Sequence, residues 1–295
     1  MQPSMQVYDR KSRTLIRQET VADGWMRWVY QTSSGKMALH ALIKRKAVSS
    51  VYGWYCKRRA SAKMAQKIID QYHLDVTPFE TPFQTYRDFF TRALPYVEMP
   101  IDSDRMGAWA EGYVSAWQQI EAKHLVQVKD SEYDLFSLLQ DREWAERYDQ
   151  GTMIRIRLAP QHYHHFHWFD DGVIQSIKDI KGSYYSVHPL ALAEVVRLYC
   201  QNKRRIVEIK TEHFGTVLLV EVGATMIGSI LNPFSVGDNV EKGKDGGYFA
   251  PGGSMILGLF EKNTIQVDGD LLSQTQMGVE SVVSLGEQIA VKGKL

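Results

Sequence analysis

The sequence predicts an α+β fold, with an N-terminal helical module in front of a β-rich module, and three observations predict it. Apolar residues in the first third recur at helical spacing, as at Met64, Ile68 and Ile69. From about Ile101 onward, short runs of β-branched and aromatic residues alternate with Gly, Asp and Asn turns. No repeat of fixed period and no low-complexity tract points to a solenoid or a long linker. With 295 residues the chain can bury a sizeable core in one large domain or two smaller ones. The change of character places a boundary near residue 98, giving a helical region 1–98 and a β-rich region 99–295.

The elements follow in order. Gly24-Trp25-Met26-Arg27-Trp28-Val29-Tyr30 reads as an aromatic, basic turn of helix, and residues 61–72 as a second helix. Pro78 and Pro82 punctuate the end of this part. A short helix over residues 86–94 follows, and Pro100 opens the β-rich part. Thr152-Met153-Ile154-Arg155-Ile156-Arg157-Leu158 reads as a strand, as do residues 216–222 and 254–260. The most apolar stretch, residues 214–231, is broken by Glu221 and reads as two buried strands. It falls short of the ~20 apolar residues a membrane-spanning helix needs. One helix, residues 189–199, interrupts the strands.

Charge is uneven although its sum is only +1. Between Asp23 and Asp70 there is no acidic residue, while Arg27, Lys36, Lys44, Arg45, Lys46, Lys57, Arg58, Arg59, Lys63 and Lys67 are all basic. Tyr52, Trp54 and Tyr55 stand beside that run. Aromatics next to cations suit a membrane headgroup layer, and they equally suit packing of the helices onto the rest of the protein. An anionic membrane surface is the expected partner of this stretch, and no nucleic acid is expected. Met1 to Thr20 is polar and carries no secretory core, so attachment is expected at the surface, on the cytoplasmic side. Cys56 and Cys200 lack metal-type or redox-type spacing, which implies a reducing compartment.

Three constellations carry chemistry. Gln161-His162-Tyr163-His164-His165-Phe166-His167 places four of the nine histidines within six residues, directly after a strand. Imidazole exchanges protons near neutral pH and also binds metals. His165 and His167 would share one face of a strand, but no clear third metal ligand accompanies them, so no metal is assigned. Acid–base work and a structural role both remain open on this run alone. The second constellation is Phe249-Ala250-Pro251-Gly252-Gly253-Ser254-Met255-Ile256-Leu257. A Gly-Gly pair before a strand is ordinarily a turn or bulge. A Gly-Ser bond held in such a turn is also open to attack by its own hydroxyl, because Gly has no Cβ to obstruct it and a nearby base can take the proton. The third is Glu111 before Gly112. A lone carboxylate there is a solvated turn by default, and it matters only as an orienter for a catalytic His.

Taken together, these segments resemble the phosphatidylserine decarboxylase family over nearly the whole chain. Asp88-Phe89-Phe90-Thr91-Arg92 resembles the family's helix before its catalytic part. Tyr163-His164-His165-Phe166-His167 resembles its Tyr-His-Arg-Phe-His strand, and Tyr184-Tyr185-Ser186-Val187-His188-Pro189 its Tyr-Ser-Val-Asn-Pro segment. Val222-Gly223-Ala224-Thr225-Met226-Ile227-Gly228-Ser229-Ile230 is similar to its Val-Gly-Ala-Thr-x-Val-Gly-Ser-Ile signature. Gly252-Gly253-Ser254 matches the Gly-Gly-Ser processing site of a bacterial type.

The resemblance implies a pyruvoyl-dependent proenzyme that cuts itself between Gly253 and Ser254. His167 would activate Ser254, Glu111 would stand behind His167, and His164 would assist decarboxylation or reprotonation. Ser254 would become the pyruvoyl cofactor at the start of an α chain, with a β chain ending at Gly253. Phosphatidylserine would react through a Schiff base to give phosphatidylethanolamine, and the resemblance allows a homodimer. A decarboxylase of a free amino acid would use the same residues, and an unprocessed, non-catalytic homologue is the reading of another class. The last is motivated by three departures from the family: Glu111 in place of Asp, His165 in place of Arg, and Met255 in place of Thr.

Overall fold

The β-branched runs of the second half pair into one long sheet. The computed structural model describes residues 6–17, 23–38, 46–123, 126–128, 131–183, 185–188, 190–191, 198–223, 230–251 and 254–293. The first seven strands are β1 (Gln6–Asp9), β2 (Thr14–Arg17), β3 (Arg105–Gly107), β4 (Gly112–Gln118), β5 (Val126–Val128), β6 (Ser131–Tyr133) and β7 (Thr152–Leu158). Then come β8 (His165–His167), β9 (Gly172–Ile180), β10 (Arg204–Thr211), β11 (Thr216–Gly223), β12 (Ile230–Leu231), β13 (Asn239–Val240) and β14 (Asp245–Phe249). The last are β15 (Ser254–Phe260), β16 (Ile265–Val267), β17 (Glu280–Val283) and β18 (Gln288–Lys292). Ten strands form one sheet in the order β13-β9-β10-β11-β15-β7-β4-β17-β1-β2, and β12-β14-β8 form a small second sheet. β16-β18-β3 make a third sheet and β5-β6 a hairpin.

The side-chain alternation of β7 explains how the long sheet is covered. Ile154, Ile156 and Leu158 join Val217, Leu219, Ile256, Phe260, Phe166 and Phe249 in a cluster on one face. Met153 joins Leu218, Val220, Val222, Met255 and Leu257 on the other. β15 lies between β11 and β7 and is buried along its whole length, as a strand covered on both faces should be. Gly258 sits in it because a Cβ there would lie 2.7 Å from the Trp109 ring. Arg155 and Arg157 point to the second face, where Glu280 binds both.

The helices are α1 (Asp23–Gln31), α2 (Ser33–Ala38), α3 (Lys46–Cys56), α4 (Ala62–Tyr72), α5 (Tyr86–Phe90), α6 (Leu135–Leu139), α7 (Arg142–Arg147), α8 (Leu198–Gln201) and α9 (Gly269–Gln276). Residues of α3, α4 and α5 share a core of their own, built from Cys56, Ala65, Ile68, Tyr86, Phe89 and Phe90. The Thr85 side chain caps α5 by accepting from the Asp88 N–H at 3.1 Å.

The structure corrects two expectations. Residues 1–98 are not a purely helical region: β1 and β2 form a hairpin that extends the long sheet, with β1 parallel to β17. Arg10 then ties this hairpin to Asp268, Asp270 and Glu287 at 2.7–3.0 Å. Val29 and Tyr30 of α1 also pack into the cluster on the second face of the sheet. The helix expected over 86–94 stops at Phe90, because Arg92 and Leu94 are drawn into bonds with the loop after β7. Most of the helix expected over 189–199 lies outside the described residues, which include α8 at its end.

Candidate active site

The register of β15 fixes where Ser254 lies. Ser254 is the first residue of β15 and pairs with Leu158, the last of β7, and with Gly223, the last of β11. Its Oγ is buried and has no hydrogen-bond partner. Gly252 and Gly253 lie outside the described residues, so the expected scissile bond is placed only from its Ser254 side.

From Leu158 the chain turns through residues 159–164 into β8. Ring nitrogens stitch this turn. His162 Nδ1 accepts from the Ala159 N–H at 3.0 Å, and His164 Nδ1 donates to the His162 carbonyl at 2.9 Å. With the proton on Nδ1, His164 presents a lone pair at Nε2, which is buried and without a partner. Its ring lies 3.7 Å from the centroid of Phe90. Burial holds the His164 pKa well below the usual imidazole value, so the ring is neutral. The Phe249 N–H donates to the His164 carbonyl at 3.1 Å. Ser254 follows Phe249 by five residues, so His164 and Ser254 are anchored to the same two stretches of backbone.

His167 is the last residue of β8, three residues after His164. Its Nδ1 donates to the Gly243 carbonyl at 2.9 Å, which leaves Nε2 as the basic nitrogen. That nitrogen accepts from the Tyr163 hydroxyl at 3.1 Å, and the hydroxyl oxygen in turn accepts from the Leu94 N–H at 2.8 Å. Burial lowers the His167 pKa, against the pull of the Gly243 carbonyl and the Asp245 charge.

The carboxylate expected behind His167 is elsewhere. Glu111 Oε2 accepts from the Tyr163 backbone N–H at 3.1 Å, and the position of orienter on His167 is taken by the Gly243 carbonyl. Burial pushes the Glu111 carboxyl up, while the Tyr163 N–H and the Arg92 charge pull it back. Glu111 therefore braces the histidine loop through its backbone. Trp109, two residues earlier, accepts from the His167 N–H at 2.8 Å, so the segment before β4 holds both ends of the loop. No direct hydrogen bond links Glu111, His167 and Ser254 in this structure.

His165 stacks between Tyr163 and Tyr248, with ring centroids 5.2 and 4.9 Å away. Its Nδ1 meets Asp245 Oδ2 at 2.9 Å and its Nε2 the Thr91 carbonyl at 3.3 Å. Both partners are acceptors. Arg92, from the segment after α5, donates to the Phe89 and Gln161 carbonyls at 2.9 and 3.3 Å and lies over the Phe89 ring. It clamps the helical core to the histidine loop. Among the described residues, no three His, Cys, Asp or Glu side chains converge as a metal site would require.

Sequence reasoning passed over Tyr163, Arg92 and the Gly243 carbonyl. The first two stand inside recognised motifs but gave no sign of their partners. It also left Glu221 as a mere interruption of an apolar run. Most of the Val-Gly-Ala-Thr signature, at residues 224–229, lies outside the described residues, as do Tyr184 and Pro189.

Comparisons with known proteins point to one family. A family model described as phosphatidylserine decarboxylase matches residues 86–291. A protein of Clostridium novyi (strain NT) is 40% identical over 293 residues, spanning 98% of this chain and 99% of that protein. One from Desulfitobacterium hafniense (strain DSM 10664 / DCB-2) is 38% identical over 292 residues, 97% of this chain and 98% of its own. One from Ruminiclostridium cellulolyticum is 36% identical over 290 residues, 97% of each. All three carry the name phosphatidylserine decarboxylase proenzyme.

Proposed function

The chain belongs to the phosphatidylserine decarboxylase family, and from that premise we propose that it is a proenzyme whose Ser254 cuts the bond before it and becomes a pyruvoyl group. The enzyme is a carboxy-lyase that turns phosphatidylserine into phosphatidylethanolamine. One observation carries the self-cleavage reading. Ser254 Oγ is buried and unpartnered among the described residues, beside a histidine loop in which burial lowers the pKa of His164 and of His167. A buried hydroxyl without a partner is costly to a fold and is kept where chemistry uses it.

In this reading His167 takes the Ser254 Oγ proton as the oxygen attacks the Gly253 carbonyl carbon. The C–N bond breaks, the proton passes to the Ser254 nitrogen, and an ester replaces the amide. Loss of the Ser254 α-proton then expels the Gly253 carboxylate from Cβ. Water replaces the nitrogen, which leaves as ammonia, and a ketone stands at position 254. A pyruvoyl group supplies a carbonyl that engages the substrate amine and takes up the electron pair freed as carbon dioxide departs. The buried, unpartnered Ser254 Oγ fits the first step by which that group would form. His164, whose Nε2 is buried and without a partner among the described residues, would carry a proton to or from the substrate carbon. Glu111 holds the loop that presents both histidines.

The lipid substrate also asks for a docking surface. No described helix is long and apolar enough to cross a membrane. Val51, Trp54 and Tyr55 are exposed on α3, and Lys57, Arg58, Arg59, Lys63 and Lys67 are exposed beside them. Arg58 lies over the Trp54 ring at 4.1 Å. These residues would rest on an anionic surface, at about 1 kcal/mol per cation near it.

Intact mass under denaturing conditions tests the proposal. Wild type should resolve into two chains, the smaller blocked at its N-terminus, whereas Ser254→Ala and His167→Ala should each stay whole. A wild-type chain that remains uncut after long incubation would sink it. Binding to anionic vesicles at low salt, reversed by high salt, tests the docking surface separately.

A further inference from the structure

The segment Asp88-Phe89-Phe90-Thr91-Arg92 has no part in the chemistry above. From Phe90 to Leu94 the chain runs alongside the histidine loop and meets it at four places. The Phe90 ring lies on the His164 ring, with centroids 3.7 Å apart and planes 36° from parallel. The Thr91 carbonyl lies 3.3 Å from His165 Nε2. Arg92 donates to the Gln161 carbonyl at 3.3 Å, and the Leu94 N–H donates to the Tyr163 hydroxyl at 2.8 Å. These last three contacts set the register between segment and loop. Phe90 alone falls on the ring that the proposed decarboxylation uses.

Phe90 is itself held. It ends α5, a five-residue helix that Thr85 caps. Its ring packs on Tyr86, with centroids 5.7 Å apart, inside the core that α3, α4 and α5 share. The Thr91 N–H donates to the Arg87 carbonyl at 2.8 Å, so the chain beyond Phe90 is still tied to the helix. His164 is restrained from two directions. Its Nδ1–H is bound to the His162 carbonyl at 2.9 Å, which fixes one edge of the ring. A single hydrogen bond leaves the plane free to rock about that edge, and the Phe90 face blocks the motion on one side. Nε2 is buried and has no partner among the described residues. Phe90 covers the ring and has no polar atom in its side chain, so it shields the lone pair without occupying it.

We propose that Phe90 is a positioning residue for decarboxylation: its ring sets the plane of the His164 imidazole and keeps Nε2 a dry, free lone pair. The inference rests on the proton-carrying role given to His164 above. Burial holds the His164 pKa well below the usual imidazole value, and the cover that Phe90 provides is part of that burial. The charged or titratable groups acting on the ring are Arg92, His162 and His165, and each disfavours its charged form, while the His162 carbonyl favours it. Alignment matters because a reacting group misplaced by about 1 Å loses about a hundredfold in rate.

The test compares Phe90→Leu, which keeps an apolar filling but loses the flat face, with Phe90→Ser, which opens the site and brings in a hydroxyl. Carbon dioxide release from a soluble, short-chain phosphatidylserine is measured per mole of chain that intact mass shows to be cut. Phe90→Leu should lower kcat about tenfold and Phe90→Ser up to about a hundredfold, with KM within a few-fold of wild type. Nitrogen NMR of histidine-labelled enzyme reads the ring itself. Wild-type His164 should stay neutral, with its proton on Nδ1, down to about pH 6, whereas in Phe90→Ser it should begin to titrate there, nearer the ordinary imidazole range. A Phe90→Ser enzyme with wild-type kcat overturns the inference. So does a lower kcat with an unaltered His164 spectrum, because Phe90 would then act through another group. If Phe90→Ser does not fold or is not cut, Phe90→Leu decides, and a wild-type kcat there overturns the inference. His164→Ala isolates the underlying reading. If His164→Ala releases carbon dioxide at the wild-type rate, the role of His164 fails. If His164→Ala is slow while both Phe90 variants keep their kcat, only the role of Phe90 fails.

Discussion

The lone pair proposed to deprotonate Ser254 is occupied, and Tyr163→Phe asks what occupies it. The Tyr163 hydroxyl donates to His167 Nε2 at 3.1 Å and accepts from the Leu94 N–H at 2.8 Å. Phe keeps the ring that stacks on His165 and removes only the hydroxyl. A neutral hydrogen bond of this kind is worth about 1 kcal/mol net. Breaking it frees the base by a factor of about five, since 1.4 kcal/mol is tenfold. The Leu94 N–H loses its acceptor, and Leu94 is only half-buried, so water replaces part of the bond at a cost of about 1 kcal/mol. Tyr163→Phe should therefore melt a few degrees lower and cut itself at the wild-type rate or up to about five times faster. Intact-mass time courses at matched pH, with a melt on the same sample, measure both. A folded Tyr163→Phe chain that fails to cut would refute the reasoning, because the hydroxyl would then be a required relay and not a competitor.

Three further outcomes follow from buried charge. His162 and His164 are held neutral by burial, His162 down to about 3, so below pH 6.5 the unfolded chain binds more protons and the fold loses about 1.4 kcal/mol per ring per pH unit. Glu221 has the opposite sign: raised to about 8, its burial costs the fold progressively more as pH rises from about 4.5, reaching about 3 kcal/mol at pH 7. Glu221→Gln should thus match wild type below pH 4.5 and exceed it by up to about 3 kcal/mol at pH 7, as urea midpoints would show; a gap that does not change with pH would count against this. Glu280 accepts from Arg155 at 3.0 Å and binds Arg157 through both oxygens, with both cations buried. Glu280→Gln removes the carboxylate that both buried cations share and should cost about 3–5 kcal/mol, readable in the same titrations.

The strands of the core were legible in the sequence because their signal is local. A run such as Ser254 to Phe260 carries no polar residue after its first, and its bounds coincide with β15. The β1–β2 hairpin was not legible. Its short strands mix polar with apolar residues and are mostly exposed, and it is held by a parallel pairing with β17, about 270 residues away, and by the Arg10 cluster. The histidine loop was found from residue types, since imidazoles after a strand are conspicuous. Which atom meets which was not found. Glu111 lies in the site, but one spacing in sequence cannot distinguish a carboxylate on the His167 ring from one on the Tyr163 N–H. Glu221 was visible as an anomaly, and only cross-strand register placed it near Ser254.

That register also determines what self-cleavage does to the molecule. A cut before Ser254 separates β14, in the small sheet, from β15, at the centre of the long one. The new chain would hold β15, β16, β17 and β18. β15 is hydrogen-bonded along its length to β11 and β7, and β17 lies between β4 and β1, all four from the other chain. Arg10 adds ion pairs to Asp268, Asp270 and Glu287 across the same divide. Separating the chains would expose the apolar faces of a fully buried strand, at roughly 1.5–3 kcal/mol for each large side chain among Met255, Ile256, Leu257, Leu259 and Phe260. The backbone ladders of two strand pairs would be lost as well. The cut chains should therefore co-elute on native gel filtration at nanomolar concentration and separate only in denaturant. Chains that part under native conditions would mean that β15 is not held at the centre of the sheet, and the placement of Ser254 between β7 and β11 would fall with it.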